Sequence, residues 1–576
     1  MTVDVTRLRG RRADTRATRL SVGDTFERMR WSRPDAVLIT ALDDACEHPD
    51  HRELTVAAAD DLANRFAHAV LARGAEPGDV VALVCENSVE ALVAKVGLAK
   101  AGVTAAPLNP KLAPDVVEEL LRLTGARFAL VDAESWAGLQ KPLAAAGVET
   151  LAAIAVGGDA PAPSFRELVG DQPATEPDVG VHGDDIWQIL FTSGTSATPK
   201  GVMIPHVKTV LEAMAMTGNL TQGLRHDHDV VLGGFLPIVY HVGDITIFSA
   251  LLAGGRVVLG RRPVPGDLAA AVDRHRITAL WAGSPQVVQG LDAALRAAPH
   301  LDAGSLTSVV HGFAPLHPAA YRSLRETLRR PIAVTEIIGQ TEICCCHRFF
   351  LDEHEDLYER SAPQQNYVGL PHPLMASAIA DADASGTGEG VFRSPALTPG
   401  YYREPDATER AMRDGWFHGG DAFRTGEAGQ RIVVDRFKDI VKTGGENVSS
   451  IRVEQTLMAH DAVARAAVVG LPHDRWGEAV TAVVLLHEPG GATTDQLLAH
   501  CRPTLAGFEM PKEVVFVDAF PEAVGGKIRK NVLRERYADL YREGSLPPGA
   551  VPHPHDDRCW WDVASARWVC TPEGRR

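Results

Sequence analysis

The sequence has no run of about eighteen apolar residues from which a membrane-spanning helix could form, and its N-terminal stretch has no apolar core of the signal-peptide kind. No membrane span is expected, and the cytoplasm is the expected location. An excess of positive charge is also missing. The chain has 58 Lys and Arg against 74 Asp and Glu, and the net charge of −16 argues against duplex nucleic acid as a partner. Cysteines are scarce, and three of the eight, Cys344, Cys345 and Cys346, are consecutive and cannot all pair with one another in ordinary geometry. They are read as mostly reduced thiols.

What the chain does have is length. At 576 residues it exceeds what one hydrophobic core usually holds, so at least two domains are expected. From Ala36 onward, apolar runs such as VLITA, VVALVC, FALVD, LAAIAV and RVVLG alternate with helix-patterned segments. That rhythm reads as a parallel sheet with helices on its faces. The expected fold class is α/β, with parallel or mixed sheets sandwiched by helices in a large N-terminal domain over 21–435. Glycines and charges crowd TGEAGQRIVVDRFKDIVKTGGENVSS at 425–450, and a smaller second domain over 436–545 is expected after them. Residues 1–20, with Arg7, Arg9, Arg11, Arg12, Arg16 and Arg19, read as a basic flexible arm. The extension over 546–576 is rich in Pro, His and Trp. Its His553, His555, Cys559 and Cys570 match no usual zinc spacing, so packing of Trp560, Trp561 and Trp568 onto a neighbour is the preferred reading.

Residues 190–206 read LFTSGTSATPKGVMIPH. The Walker pattern requires Gly-Lys-Ser/Thr, whereas here Lys200 precedes a glycine, so this is not that phosphate loop. Uncovered N–H groups with the Thr192, Ser193, Thr195, Ser196 and Thr198 hydroxyls could still grip phosphate oxygens, with Lys200 adding a point charge. A flexible Ser/Thr/Gly surface loop is the alternative for that composition alone. Three further motifs bear on the choice: VTEIIGQTEICC at 334–345, GWFHGGDAFRTGEAGQRIVVDRFKDIVKTGGENVSS at 415–450, and PEAVGGKIRKNVLR at 521–534.

Together and in this order, from about Val22 to Tyr541, the four motifs resemble the AMP-forming adenylating enzymes. That superfamily includes acyl- and aryl-CoA ligases, peptide-synthetase adenylation domains and firefly luciferase. The resemblance implies that the smaller domain is an α+β lid joined by a hinge at Lys438, which rotates between two half-reactions. It implies an ATP and AMP site from Thr192, Ser193, Gly194, Thr195, Ser196, Thr198, Lys200, Gly312, Ala314, Gly339, Gln340, Thr341, Asp421 and Arg436. Glu342 matches the magnesium carboxylate, with Thr192 beside it. Asp421 matches the carboxylate that accepts both ribose hydroxyls, with Arg436 as its partner. Lys527 resembles the lid lysine that bridges the attacking carboxylate and the α-phosphate, an electrostatic role in a closed site.

Lys442, Gly444 and Gly445 match the segment bordering the pantetheine tunnel of CoA ligases. His241 resembles the histidine near the acid's carboxylate, one residue further from Pro237 than in the commonest form, and a buried structural histidine is the alternative. An acid pocket of Tyr240, His241, Gly312, Gly339, Ile343 and Cys344 is implied, without an obvious basic anchor. A small hydrophobic carboxylic acid is therefore expected, joined to coenzyme A with ATP and Mg2+.

Three positions depart from the family pattern. Ile338 replaces an aromatic, His311-Gly312-Phe313-Ala314-Pro315 replaces a run of small residues at the adenine floor, and Gly419 replaces a Thr before the ribose aspartate. They keep open a ligase with weak adenylation that converts an acyl-adenylate supplied by a companion enzyme. Loading of a carrier protein and a non-catalytic nucleotide- or acid-binding module are the other readings. Assembly as a homodimer is left open.

Overall fold

Largely apolar runs of Val, Leu, Ile and Ala bury both faces of a strand, as in Val80–Val84 and Phe128–Asp132, whose residues are all buried. In a computed structural model, residues 20–156, 163–191, 199–221, 230–362, 365–444, 446–473, 475–522, 528–541, 551–553, 556–562 and 567–570 are described. Packing divides the chain into two units. One comprises Met1–Glu355, Leu370–Ser377 and Phe392–Phe417, and the other Asp356–Gly369, Ala378–Val391 and His418–Arg576.

In the first unit the strands are β1 (Val37–Ala41), β2 (Glu53–Thr55), β3 (Val80–Val84), β4 (Thr104–Pro107), β5 (Phe128–Asp132), β6 (Glu149–Ile154) and β7 (Ile186–Phe191). They continue with β8 (Gly201–Pro205), β9 (Val231–Gly234), β10 (Arg256–Leu259), β11 (Ala279–Gly283), β12 (Ser308–His311), β13 (Ala333–Gln340) and β14 (Cys344–Phe350). One sheet runs β6-β5-β3-β4-β7-β8. The other contains the order β14-β13-β12-β11-β9-β10-β1-β2. From β13 to β1 every neighbouring pair is parallel, and β14 and β2 join antiparallel at its two sides.

The helix Val89–Lys100 is buried at every position, as expected of a helix apolar on all sides. Its two lysines enter the core only with partners. The Lys95 ammonium lies 2.6 Å from Asp244 and donates to the Ile238 carbonyl at 2.9 Å, while Lys100 pairs with Asp60 and Glu176. Gln188 on β7 donates to the second Asp244 oxygen at 2.9 Å, so the ion pair also ties that strand to helix His241–Leu252.

In the second unit the long strands Val463–His473 and Gly477–Leu486 pair antiparallel, and Glu513–Phe516 joins parallel to the latter. The short hairpin Val441–Thr443 with Glu446–Val448 and the helices Ser450–Met458, Thr494–Cys501 and Lys530–Arg536 complete an α+β arrangement. The helix Lys530–Arg536 is basic, with Lys530, Arg534 and Arg536 along its seven residues. The C-terminal segments form a three-stranded antiparallel sheet in which Cys559 stands opposite Cys570 and Trp561 opposite Trp568. Among the described residues no helix is long and apolar enough to cross a membrane.

Candidate active site

Ligands of open α/β sheets bind beyond the carboxyl ends of parallel strands, where backbone groups run out of partners. Beyond β9, β12 and β13 the chain places Tyr240 and His241, Gly312 and Phe313, and the turn containing Thr341 and Glu342. That turn is tight. Ile343 N–H donates to the Gln340 carbonyl at 3.1 Å, and a Cβ on Gly339 would overlap the carbonyl oxygen of Cys344. Only glycine fits there, which explains the residue before Gln340.

Glu342 is 6% exposed, and its Oε1 accepts a 2.8 Å hydrogen bond from the Tyr401 hydroxyl. The Lys200 ammonium sits over the Tyr401 ring, 4.7 Å from its centroid, as a cation on an aromatic face. Burial and the Glu342 charge push the Tyr401 phenol well above its ordinary pKa, so it remains a donor. Backbone pairing brings these groups together. Tyr402 N–H donates to the Gly201 carbonyl at 2.7 Å, Met203 N–H donates to Gly400 at 3.0 Å, and Val202 bridges Tyr401.

Residues 192–198 lie outside the described residues, and so therefore do Thr192, Ser193, Gly194, Thr195, Ser196 and Thr198. Their flanks are held: Phe191 at the end of β7 pairs antiparallel with Gly201 at the start of β8. The segment therefore joins two strands of a hairpin, unlike a Walker loop, which leads from strand to helix. Lys527 and Gly445 also lie outside the described residues.

Lys208, on helix His206–Thr221, has no exposed side-chain surface. Its ammonium donates to the Ala396 carbonyl at 2.8 Å and the Glu342 carbonyl at 3.2 Å, and it pairs with Glu212 at 2.7 Å. Burial lifts the Glu212 carboxyl to about 7, against the pull of Lys208. His241, 2% exposed, shares a 3.0 Å hydrogen bond between Nε2 and the Thr209 hydroxyl, and its Nδ1 lies 3.4 Å from Glu212. Burial, then the charges of Lys208 and Lys95, hold its imidazole neutral. The ligating atoms of Glu212, His241 and Cys344 lie within 4.8 Å of one another, but the Lys208 ammonium already supplies the cation at that carboxylate.

Of the expected acid-pocket residues, Ile343 and Cys344 are buried at 1% and 5% exposure, and Cys344 Sγ lies 3.6 Å from Cys345 Sγ. Cys344, Cys345 and Cys346 are free thiols. Gly312 is buried, and a Cβ there would come within 2.7 Å of the Ile337 carbonyl. Ala314 is exposed, and His311 is a fully buried ring whose pKa burial pushes down to about 3.

In the second unit, Asp421 and Arg436 face each other across paired strands, with Arg436 Nε 3.0 Å from Asp421 Oδ1. The next cross-strand pair places Asp435 inward. Its Oδ2 accepts from the Ser450 N–H and hydroxyl at 2.6 Å each, and its Oδ1 accepts from Arg436 N–H at 2.7 Å. Lys438 is exposed and its carbonyl accepts from Arg534, which also binds Asp439 at 2.6 Å. Lys442 is exposed, with its backbone N–H on Glu478 at 2.7 Å. Gly444 takes φ 59° at the hairpin turn and donates to the Trp476 carbonyl at 2.9 Å.

Residues 29–402 match the family described as AMP-binding enzyme, and residues 452–527 match the AMP-binding enzyme C-terminal domain. The chain belongs to the AMP-binding enzyme family. It is an AMP-forming adenylating enzyme, as the four motifs imply. Among curated relatives, the long-chain-fatty-acid–CoA ligase FadD13 of Mycobacterium tuberculosis is 30% identical over 84% of this chain and 93% of its own. Feruloyl-CoA synthase of an Amycolatopsis species is 31% identical, covering 82% of this chain and 92% of its own. The ATP-bound structure of MatB from Rhodopseudomonas palustris superposes with a TM-score of 0.77 at 26% identity, covering 90% of this chain and 100% of that one.

Within this AMP-binding enzyme, sequence reasoning reached Lys200, Glu342, Asp421 and Arg436 but missed Tyr401 and Lys208. Both act across long separations, 59 positions from Tyr401 to Glu342 and 134 from Lys208 to Glu342. The one local signal was the glycine-aromatic step Gly400-Tyr401-Tyr402, whose backbone pairs with β8.

Proposed function

We propose that this AMP-forming enzyme is an acid–CoA ligase that activates a small hydrophobic carboxylic acid as its adenylate and passes the acyl group to coenzyme A. The observation that carries this reading is the meeting of Lys200 and Glu342 on opposite features of one tyrosine, a cation on its ring and a carboxylate on its hydroxyl. Such a pair suits a polyphosphate: Lys200 attracts its oxygens, while Glu342 adds a hard oxygen donor. Glu342, with Thr192, would hold a magnesium ion, which when bound offsets phosphate charge.

In the first half-reaction the substrate carboxylate attacks the α-phosphorus, and the bond to pyrophosphate breaks. The 192–198 hydroxyls with Thr341 bind phosphate, Gly312, Ala314, Gly339 and Gln340 border the nucleotide, and Asp421 with Arg436 holds the ribose. Lys527 offsets the charge that builds at phosphorus. Tyr240 and His241, with Gly312, Gly339, Ile343 and Cys344, form the acid side. A neutral His241 donates or accepts without adding charge beside the carboxylate. In the second half-reaction the CoA thiol attacks the acyl carbon, AMP departs and the thiol proton is released, with Lys442, Gly444 and Gly445 lining the path of the pantetheine arm. The lid is residues 436–545, turning at Lys438, with the basic arm 1–20 and the extension 546–576 outside the chemistry. The reaction takes place in the cytoplasm.

The curated relatives support ligation to CoA but not one acid, since their names span fatty, feruloyl and 4-hydroxybutyrate substrates. Exchange of labelled pyrophosphate into ATP across an acid panel, followed by CoA addition, tests the reading. Acid-dependent exchange with a CoA thioester as product is expected. Thioester made only from supplied adenylate, or only on a carrier protein, would overturn it.

A further inference from the structure

Three aromatic side chains meet: Tyr240 and Phe313 lie beyond the carboxyl ends of β9 and β12, and Trp281 lies within β11. Phe313 has φ 65°, a backbone conformation costly for a bulky residue, and the residue is 56% exposed. Its ring lies 6.0 Å from the ring of Tyr240, tilted by 51°, and 6.3 Å from that of Trp281, edge-on at 78°. Beside it Gly283 has φ 73°, and a Cβ there would come within 2.7 Å of Leu236 and 3.4 Å of the Phe313 ring. A glycine at this point keeps the flank of Phe313 open. A large apolar ring held in a strained backbone and left in water has burial to gain from a ligand.

The polar ends of the two neighbours supply an independent observation. Trp281 is 3% exposed, and its indole Nε1 is buried with no hydrogen-bond partner among the described residues. The Tyr240 hydroxyl is likewise buried and without a partner there, and burial raises its pKa, so it keeps its proton. Buried donors are seldom left unsatisfied, and the indole N–H can only donate. Two such donors flanking one exposed ring ask for an acceptor on whatever covers that ring.

The geometry points to an aromatic acid carrying an oxygen substituent on its ring: the ring packs on Phe313, and the Tyr240 hydroxyl and Trp281 N–H donate to that oxygen. This rests on the acid–CoA ligase reading and narrows its substrate class. A straight alkyl chain could bury comparable area but would leave both donors unsatisfied, and a site built to bond a polar group rejects the analogue that lacks it.

The test compares 3-(4-methoxyphenyl)propanoate, 3-phenylpropanoate and a straight-chain acid of matched length, by pyrophosphate exchange and by CoA thioester formation. The methoxyphenyl acid is expected to lead the phenyl acid in kcat/KM by ~10-fold or more, with the straight-chain acid last. Tyr240→Phe and Trp281→Phe should each shrink the methoxyphenyl-to-phenyl ratio, and Phe313→Ala should lower both aryl acids relative to the straight chain. Preference for the straight chain, or a ratio unmoved in both Phe variants, overturns the proposal. A Phe313→Ala effect confined to the KM for ATP also overturns it, by placing that ring against the nucleotide. Exchange reads acid preference without CoA, so a missing thioester with this order intact would sink the CoA step and support the acid assignment.

Discussion

Replacing Lys208 by Met isolates what the buried ammonium does for the turn containing Glu342. In the native protein the Glu212 carboxyl titrates near 7 instead of its ordinary 4.5, raised by burial and partly restrained by Lys208. A carboxyl whose folded pKa exceeds its unfolded value stabilises the fold fully below the unfolded value. That stability is lost as pH rises to the folded pKa, above which the loss is constant. In Lys208→Met the restraint is gone and the carboxyl titrates higher still. Above pH ~7 the native protein stops losing stability, whereas the variant goes on losing about 1.4 kcal/mol per pH unit. For a packing unit of about 390 residues unfolding with ~2.1 cal/mol/K per residue, that widens the Tm gap by about 1.7 °C per pH unit. A pH-independent loss of about 2 kcal/mol is added by the Ala396 and Glu342 carbonyls, which lose a charged donor, although Glu342 keeps the Thr398 N–H at 3.0 Å. Differential scanning calorimetry of both proteins from about pH 6 to 9 measures the gap. A gap that stays flat across the range would refute Glu212 as the group whose ionisation the ammonium supports.

Tyr401→Phe keeps the ring beneath Lys200 but deletes the bond to Glu342, and should slow pyrophosphate exchange by ~10-fold, with a further few-fold loss in Tyr401→Leu. A Phe variant exchanging at the native rate would show that Glu342 is positioned by the turn alone. Asp421→Asn should raise the KM for ATP by ~10-fold or more and leave the KM for the acid in place, since a neutral amide offers one acceptor oxygen in place of two. Equal effects on both substrates would remove Asp421 from the ribose. Lys527→Ala should abolish adenylate formation while thioester synthesis from synthetic acyl-adenylate largely persists, and equal loss of both steps would count against its role in the lid.

The elements legible in the sequence are those whose chemistry is local. VVALVC and FALVD coincide with β3 and β5 because a strand covered on both faces is written as a continuous apolar run. Gly339 is legible because the hairpin turn tolerates no side chain. Asp421 and Arg436 belong to one hairpin, whose register sets them opposite each other. Tyr401 and Lys208 escape for the converse reason. A lysine two residues into a helix reads as solvent-facing, and only Glu212 together with the Glu342 and Ala396 carbonyls makes its burial tolerable. The substitution at Phe313 shows the same limit. By residue type it is mere bulk beside a nucleotide, whereas the segment after β9 and strand β11 supply Tyr240 and Trp281, two donors from 73 and 32 positions earlier in the chain. A contact of that kind has no period to announce it, because parallel strands bring together residues whose sequence separation is set by the intervening helices. The motifs common to the family can therefore be read from the chain, while the groups proposed to select the acid become visible only once the strands stand side by side.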